Sequence, residues 1–146
     1  MDSKLSAFLK ENQKVKKNAH VAVSDMFVDK DGNPIKWEIR PVSTKVFERL
    51  RKDCTKTVQS KKNPGQTEQI FNGDLYNHKL LVESVVFPDL YNADLQDSYG
   101  VHTPEALLNS LLPDAGDFYR LMKFVEDFNG FNNPDPLASD IKKAKN

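Results

Sequence analysis

Hydrophobic and polar residues alternate most clearly from Ile35 to Val42, where Ile35, Trp37 and Ile39 share one face and Lys36, Glu38 and Arg40 the other. A period of two puts successive side chains on opposite faces of an extended chain, so this run predicts a half-buried strand. His20 to Val28 reads as another. Between them Asp29-Lys30-Asp31-Gly32-Asn33-Pro34 is dense in turn formers, and the three segments together predict a β-hairpin.

Beyond the hairpin the period lengthens to that of a helix. Val46, Phe47, Leu50 and Cys54 share a narrow face, after Ser43 or Thr44 as the cap, which predicts a surface helix docked on the hairpin. Residues 56–67 carry Lys, Gly, Pro and Ser without periodicity and read as part of an exposed loop over 56–72. From Asp74 to Phe87 apolar residues surround most of the helical wheel, so a central helix is expected there, ended by Pro88. Asn92 caps a short helix that stops at Gly100, and Thr103-Pro104 opens the next. A last helix is expected from Asp114 to Phe128, closed by Gly130. Upstream, Ser3 can cap a short helix over 3–12 with Leu5, Phe8 and Leu9 on one face. The sum is an α+β fold, mostly helical: an N-terminal β-hairpin with a docked helix (about 20–55), the loop, and a bundle of about four helices (about 74–130). One domain over 1–131 is expected, followed by a polar, proline-broken tail over 132–146 that should fray.

Composition narrows the class. With 38% apolar and 10% aromatic residues in 146, the chain can bury a core. Its single cysteine, Cys54, permits no internal disulfide and reads as a small buried hydrophobe in a reducing compartment. No apolar run approaches the roughly 20 residues of a membrane span. The opening residues lack the continuous apolar stretch of a secretory signal, so a soluble, cytoplasmic protein is expected. The net charge of zero conceals an asymmetry. Residues 1–62 hold fifteen Lys and Arg against eight Asp and Glu, a net +7, and residues 63–146 hold six against thirteen, a net −7. The basic residues are spread over several elements without interleaved aromatics, which argues against nucleic-acid binding. Attraction between the two halves could act within one molecule or between copies, so self-association stays open.

Candidate chemistry is sparse. His20, His78 and His102 stand on separate elements, none at metal-ligand spacing from another His or from Cys54. Matching Asp29–Glu38 to a calcium loop would put Phe27 at the first ligand position, so a hairpin turn is the better reading. No phosphate-binding glycine loop is present. The carboxylate pairs Asp94 with Asp97, Asp114 with Asp117 and Glu126 with Asp127 sit mostly near helix starts, as caps and dipole complements do. An enzyme is disfavoured, and neither cofactor nor metal is expected. The positive signal is apolar breadth on the last helix. Leu121, Phe124 and Phe128 lie on one flank and Phe118, Met122 and Val125 on the adjacent one. Deep packing in a core would account for this width, and so would a flank that receives an apolar helix from a partner, which makes Leu121, Phe124 and Phe128 the candidate partner-binding residues.

Five blocks in order carry a family resemblance: Phe27-Val28-Asp29-Lys30-Asp31-Gly32-Asn33-Pro34-Ile35-Lys36-Trp37-Glu38-Ile39-Arg40, Leu50-Arg51-Lys52-Asp53-Cys54-Thr55, Val86-Phe87-Pro88-Asp89-Leu90, Ala93-Asp94-Leu95-Gln96-Asp97-Ser98-Tyr99-Gly100, and Phe128-Asn129-Gly130-Phe131. Together they resemble the XkdN-like phage tail assembly chaperones over about residues 5–131, with nothing recognisable in the 56–72 loop or the tail. The resemblance implies a non-catalytic chaperone of phage or prophage tail assembly. Its partner would be the tape measure protein, kept soluble in the host cytoplasm before the tail forms, with tail tube protein as a possible second partner. A structural tail completion or connector protein of the virion is the alternative, and its presence in mature particles would distinguish it.

Overall fold

A computed structural model describes residues 2–131; the expected tail over 132–146 lies outside the described residues. The chain is α+β and helix-rich, with an N-terminal hairpin, as its periodicities predict. The arm at the start holds a short helix, α1 (Ser3–Ser6), and a single 3-10 turn over Lys10–Asn12. Asp2, not Ser3, is the cap, accepting from the Lys4 amide. The helix expected over 3–12 is thus broken, because its apolar residues have nothing to pack on: Leu5, Phe8 and Leu9 are all exposed.

The hairpin pairs β1 (Ala19–Ala22) with β2 (Lys36–Ile39), antiparallel, in the register Val21 with Trp37. Both strands are shorter than the alternation predicts. Residues 23–35 leave the sheet, and a narrow loop closes their tip through the Val28–Pro34 bridge. There the Asp29 carboxylate accepts from the amides of Asp31 and Asn33, and Gly32 takes φ 82°. Using its side chain in this way, Asp29 is a turn residue. Trp37 and Ile39 face the core as predicted, while Ile35 is partly exposed.

Helix α2 (Thr44–Asp53) is capped by Ser43, whose hydroxyl accepts from the Val46 amide, and buries Leu50. Two expectations downstream of it are corrected. The segment read as an exposed loop is largely a second hairpin, β3 (Thr55–Gln59) with β4 (Thr67–Phe71), paired from Thr55–Phe71 to Gln59–Thr67. All of β4 is exposed, so no buried face imposes the alternation by which a strand is recognised. The helix expected to run to Phe87 stops at Ser84: α3 (Gly73–Ser84) passes straight into β5 (Val85–Phe87). β5 pairs with β2, completing a three-stranded sheet in the order β1-β2-β5. The switch is anchored where the Ser84 carbonyl accepts from the Arg40 amide at 2.8 Å, a contact no local pattern reveals.

Helix α3 packs on α2 and on two later helices, α5 (Pro104–Leu111) and α6 (Ala115–Phe128). That central position explains why it is apolar nearly all round; Leu80, Leu81 and Val82 are buried. The shorter α4 (Ala93–Ser98) packs on α5, between its Asn92 cap and Gly100 at φ 67°. Thr103 caps α5 and Asp114 caps α6. The core joins Trp37 and Ile39 of the sheet to leucines of α3 and α5 and to Leu121 and Val125 of α6.

Candidate functional site

Helix α6 carries the predicted partner-binding residues, and the fold divides them. Leu121 has no exposed surface and is a core side chain. It therefore supports the flank from beneath and cannot itself meet a partner. Met122 and Val125 are buried as well, so most of the helix's apolar width serves the core. Phe124 and Phe128 are half-buried, their rings stacked with centroids 5.8 Å apart and planes 20° from parallel. The Lys16 ammonium, from the arm, lies 4.2 Å from the Phe128 ring centroid and donates to the Phe128 carbonyl. A cation is well placed there, at the negative end of the helix dipole and over an aromatic face.

The end of α6 is closed by two return bonds, Phe131 amide to Glu126 carbonyl at 2.9 Å and Gly130 amide to Asp127 carbonyl at 3.1 Å. Gly130, at φ 76°, occupies the left-handed position of this Schellman motif. Asn129 fastens the end to the sheet side: its Oδ1 accepts from the Val42 amide and its Nδ2 donates to the Val125 carbonyl. The Phe128-Asn129-Gly130-Phe131 sequence thus has a geometric task, which is to turn Phe131 back onto α2.

Phe131 meets a chain of aromatic rings that sequence reading missed. Its centroid lies 5.5 Å from Phe47 of α2; Phe47 meets Tyr76 of α3 edge-on at 6.2 Å, and Tyr76 meets Phe71 of β4 at 5.4 Å. Phe71 and Phe131 are 44% and 45% exposed, so the row is open to solvent at both ends. The Arg51 guanidinium sits over it, 5.7 Å from the Phe47 centroid and 5.4 Å from that of Phe71. Burial raises the pKa of the Tyr76 hydroxyl, with Arg51 opposing the shift. Helices α2 and α3, the turn after α6 and the second hairpin all contribute, and residues so distant in sequence signal nothing until they are assembled.

A second apolar feature is a cleft of about 170 Å³ beside the sheet, with Trp37 as a buried lining residue and Phe27, Ile35, Phe87, Leu95 and Tyr99 around it. Polar side chains elsewhere serve the fold. Arg120 donates to the Val23 carbonyl and to Asp117, each at 2.8 Å, tying the start of α6 to the hairpin. His78 joins α3 to α5, its ring within 2.9 Å of the Asp74 carbonyl and 3.1 Å of Asn109. Cys54 is buried, and desolvation raises its thiol pKa. Among the described residues no three His, Cys, Asp or Glu side chains gather as a metal site, and no helix is long and apolar enough to cross a membrane.

The chain matches the phage XkdN-like tail assembly chaperone family over residues 5–145. It is 29% identical over 126 residues to the phage-like element PBSX protein XkdN of Bacillus subtilis, covering 86% of this chain and 82% of that one. To protein YqbN of the same bacterium it is 25% identical over 142 residues, covering 97% and 93% of the two chains. The crystal structure of the protein YqbN shares the fold, with a TM-score of 0.71 and 20% identity over 87% of this chain and 96% of that one.

Proposed function

From the premise that this chain belongs to the phage XkdN-like tail assembly chaperone family, we propose that it binds the tape measure protein before the tail exists, keeps it soluble, and helps recruit tail tube protein, all without catalysis and in the host cytoplasm. The observation that carries this reading is the aromatic surface at the C-terminal end of α6, where Phe124 and Phe128 lie half-buried and Phe131 continues into the Phe47–Tyr76–Phe71 row. Aromatic side chains bring large contact area at small entropic cost, which suits the capture of an apolar helix. A long helical client exposes such faces while unassembled and aggregates through them. Phe124 and Phe128 would contact the client directly, with Leu121 holding the flank in place from the core. Release as tube protein polymerises requires modest affinity per copy, and a rim of half-exposed rings over a packed core favours that over a deep pocket.

Co-expression tests the proposal. The tape measure protein of the same tail should become soluble and co-purify with the wild-type chain. Phe128→Glu should reduce its recovery by about ten-fold or more, as expected for one buried aromatic anchor, with the variant's far-UV circular dichroism unchanged. A tape measure protein that stays insoluble beside a well-folded wild-type chain overturns the proposal.

A further inference from the structure

The arm before β1 carries the most exposed large apolar side chains of the described residues. Phe8 is 85% exposed and Val15 84%, with Leu5 and Leu9 also open, and no residue of α1 is buried. Residues 2–17 hold five lysines against Asp2 and Glu11, so the arm is an apolar segment with a net positive charge. The cleft beside the sheet has the complementary character. Its lining is nearly all apolar, and Phe87, Tyr99 and Ile35 are its most exposed side chains. Asp25, Asp29, Asp89, Asp94 and Asp97 each stand within two residues of a lining position, whereas Lys36 is the only basic residue so placed. Lys36 also precedes Trp37 in β2, and strand alternation turns it to the opposite face.

We propose that the arm of one copy, led by Phe8, docks in the apolar cleft of a second copy, so that the chain self-associates by arm exchange. The arm's own anchorage favours a second copy as the source. Lys16 is held at the C-terminal end of α6, whereas Leu111, which lines the cleft, precedes the start of that helix. Fourteen helical residues separate the two ends by about 21 Å. The eight residues from Lys16 back to Phe8 reach about 26–29 Å when fully extended, so they span that distance only when mostly extended. The 3-10 turn at Lys10–Asn12 shortens them. An arm from a neighbouring copy has no such limit.

Phe87 and Tyr99 line the cleft and stand partly in solvent, so their aromatic NMR signals report occupancy. Sedimentation velocity of the full chain over a concentration series should show mass rising with concentration, and the Phe87 and Tyr99 signals should shift in step. Both effects should weaken in about 1 M salt, where charges are screened beyond about 3 Å. Phe8→Asp removes one large apolar contact and should weaken association by about ten- to a hundred-fold, without changing the melting temperature of so exposed a site. Phe87→Arg, on the cleft side, should do the same. Mixing the two variants should restore association, because one retains its cleft and the other its arm. Equal association of wild type and Phe8→Asp overturns the proposal. So does a shift of these signals that needs the arm but not concentration, since the arm would then fold back within its own molecule. Neither result touches client binding at the end of α6.

Discussion

Leu121 has no exposed surface, whereas Phe128, two turns further along the same flank of α6, keeps one side of its ring near solvent beneath Lys16. Removing each side chain should therefore have separable consequences. Leu121→Ala empties a packed site and is expected to cost about 2–5 kcal/mol of stability. Phe128→Ala takes away a ring that solvent already reaches and should cost about 1 kcal/mol. Urea unfolding of the two variants checks the ordering, and a Phe128→Ala loss equal to that of Leu121→Ala would mean that the ring belongs to the core. Periodicity alone places both residues on one stripe. Which of them faces the core depends on how α6 rolls against α3, a tertiary contact that periodicity does not contain.

At the scale of elements, the two hairpins differ in what holds them. The β1–β2 pair buries Trp37 and Ile39 and is extended by β5, while β3–β4 is a two-stranded ribbon whose second strand is wholly exposed. Isolated two-stranded ribbons are marginal in water. Amides of β3 and β4 in the ladder between Thr57 and Gln69 should thus exchange with solvent at least about a hundred-fold faster than that of Ile39. Hydrogen exchange measured residue by residue tests this, and equal protection would show that the second hairpin opens only with the whole fold. The same contrast explains its poor legibility. Thr, Val, Ile and Phe in these strands are good strand formers, and Asn63-Pro64-Gly65 is a fair turn signal, yet without a buried face no alternation betrays the pairing.

For the whole molecule, two buried or half-buried acids of high pKa act in the same direction. Burial raises the Cys54 thiol above its ordinary 9.0 and the Tyr76 hydroxyl above 10.0. Each ionises more readily once unfolded, so in alkali the native state retains protons that the unfolded state loses. The stability these groups contribute is complete below about pH 9 and is lost as pH rises through their folded values. Denaturant unfolding between pH 7 and 11 should show a plateau followed by a fall, and Cys54→Ala should make the start of that fall shallower. An unchanged slope would remove Cys54 from the account. The opposed charges of the two halves contribute little to this balance: the Arg49–Glu83 pair joins them across α2 and α3, but both side chains are substantially exposed.

Local chemistry was enough to determine the first turn, the caps Asn92 and Thr103, a cap at Ser43 or Thr44, the left-handed Gly100, the helix end at Gly130, and the central place of α3, because each rests on a few adjacent residues or on one period. The five sequence blocks likewise sufficed to name the family. Tertiary structure decided where α3 gives way to the sheet, since the Arg40–Ser84 bond and pairing with β2 fix the extended course that the strand formers Val85–Phe87 take. It alone gathered Phe47, Phe71, Tyr76 and Phe131 into one row, and it alone took Leu121 out of a partner's reach. A surface is a sum over distant residues, and no window of sequence contains it.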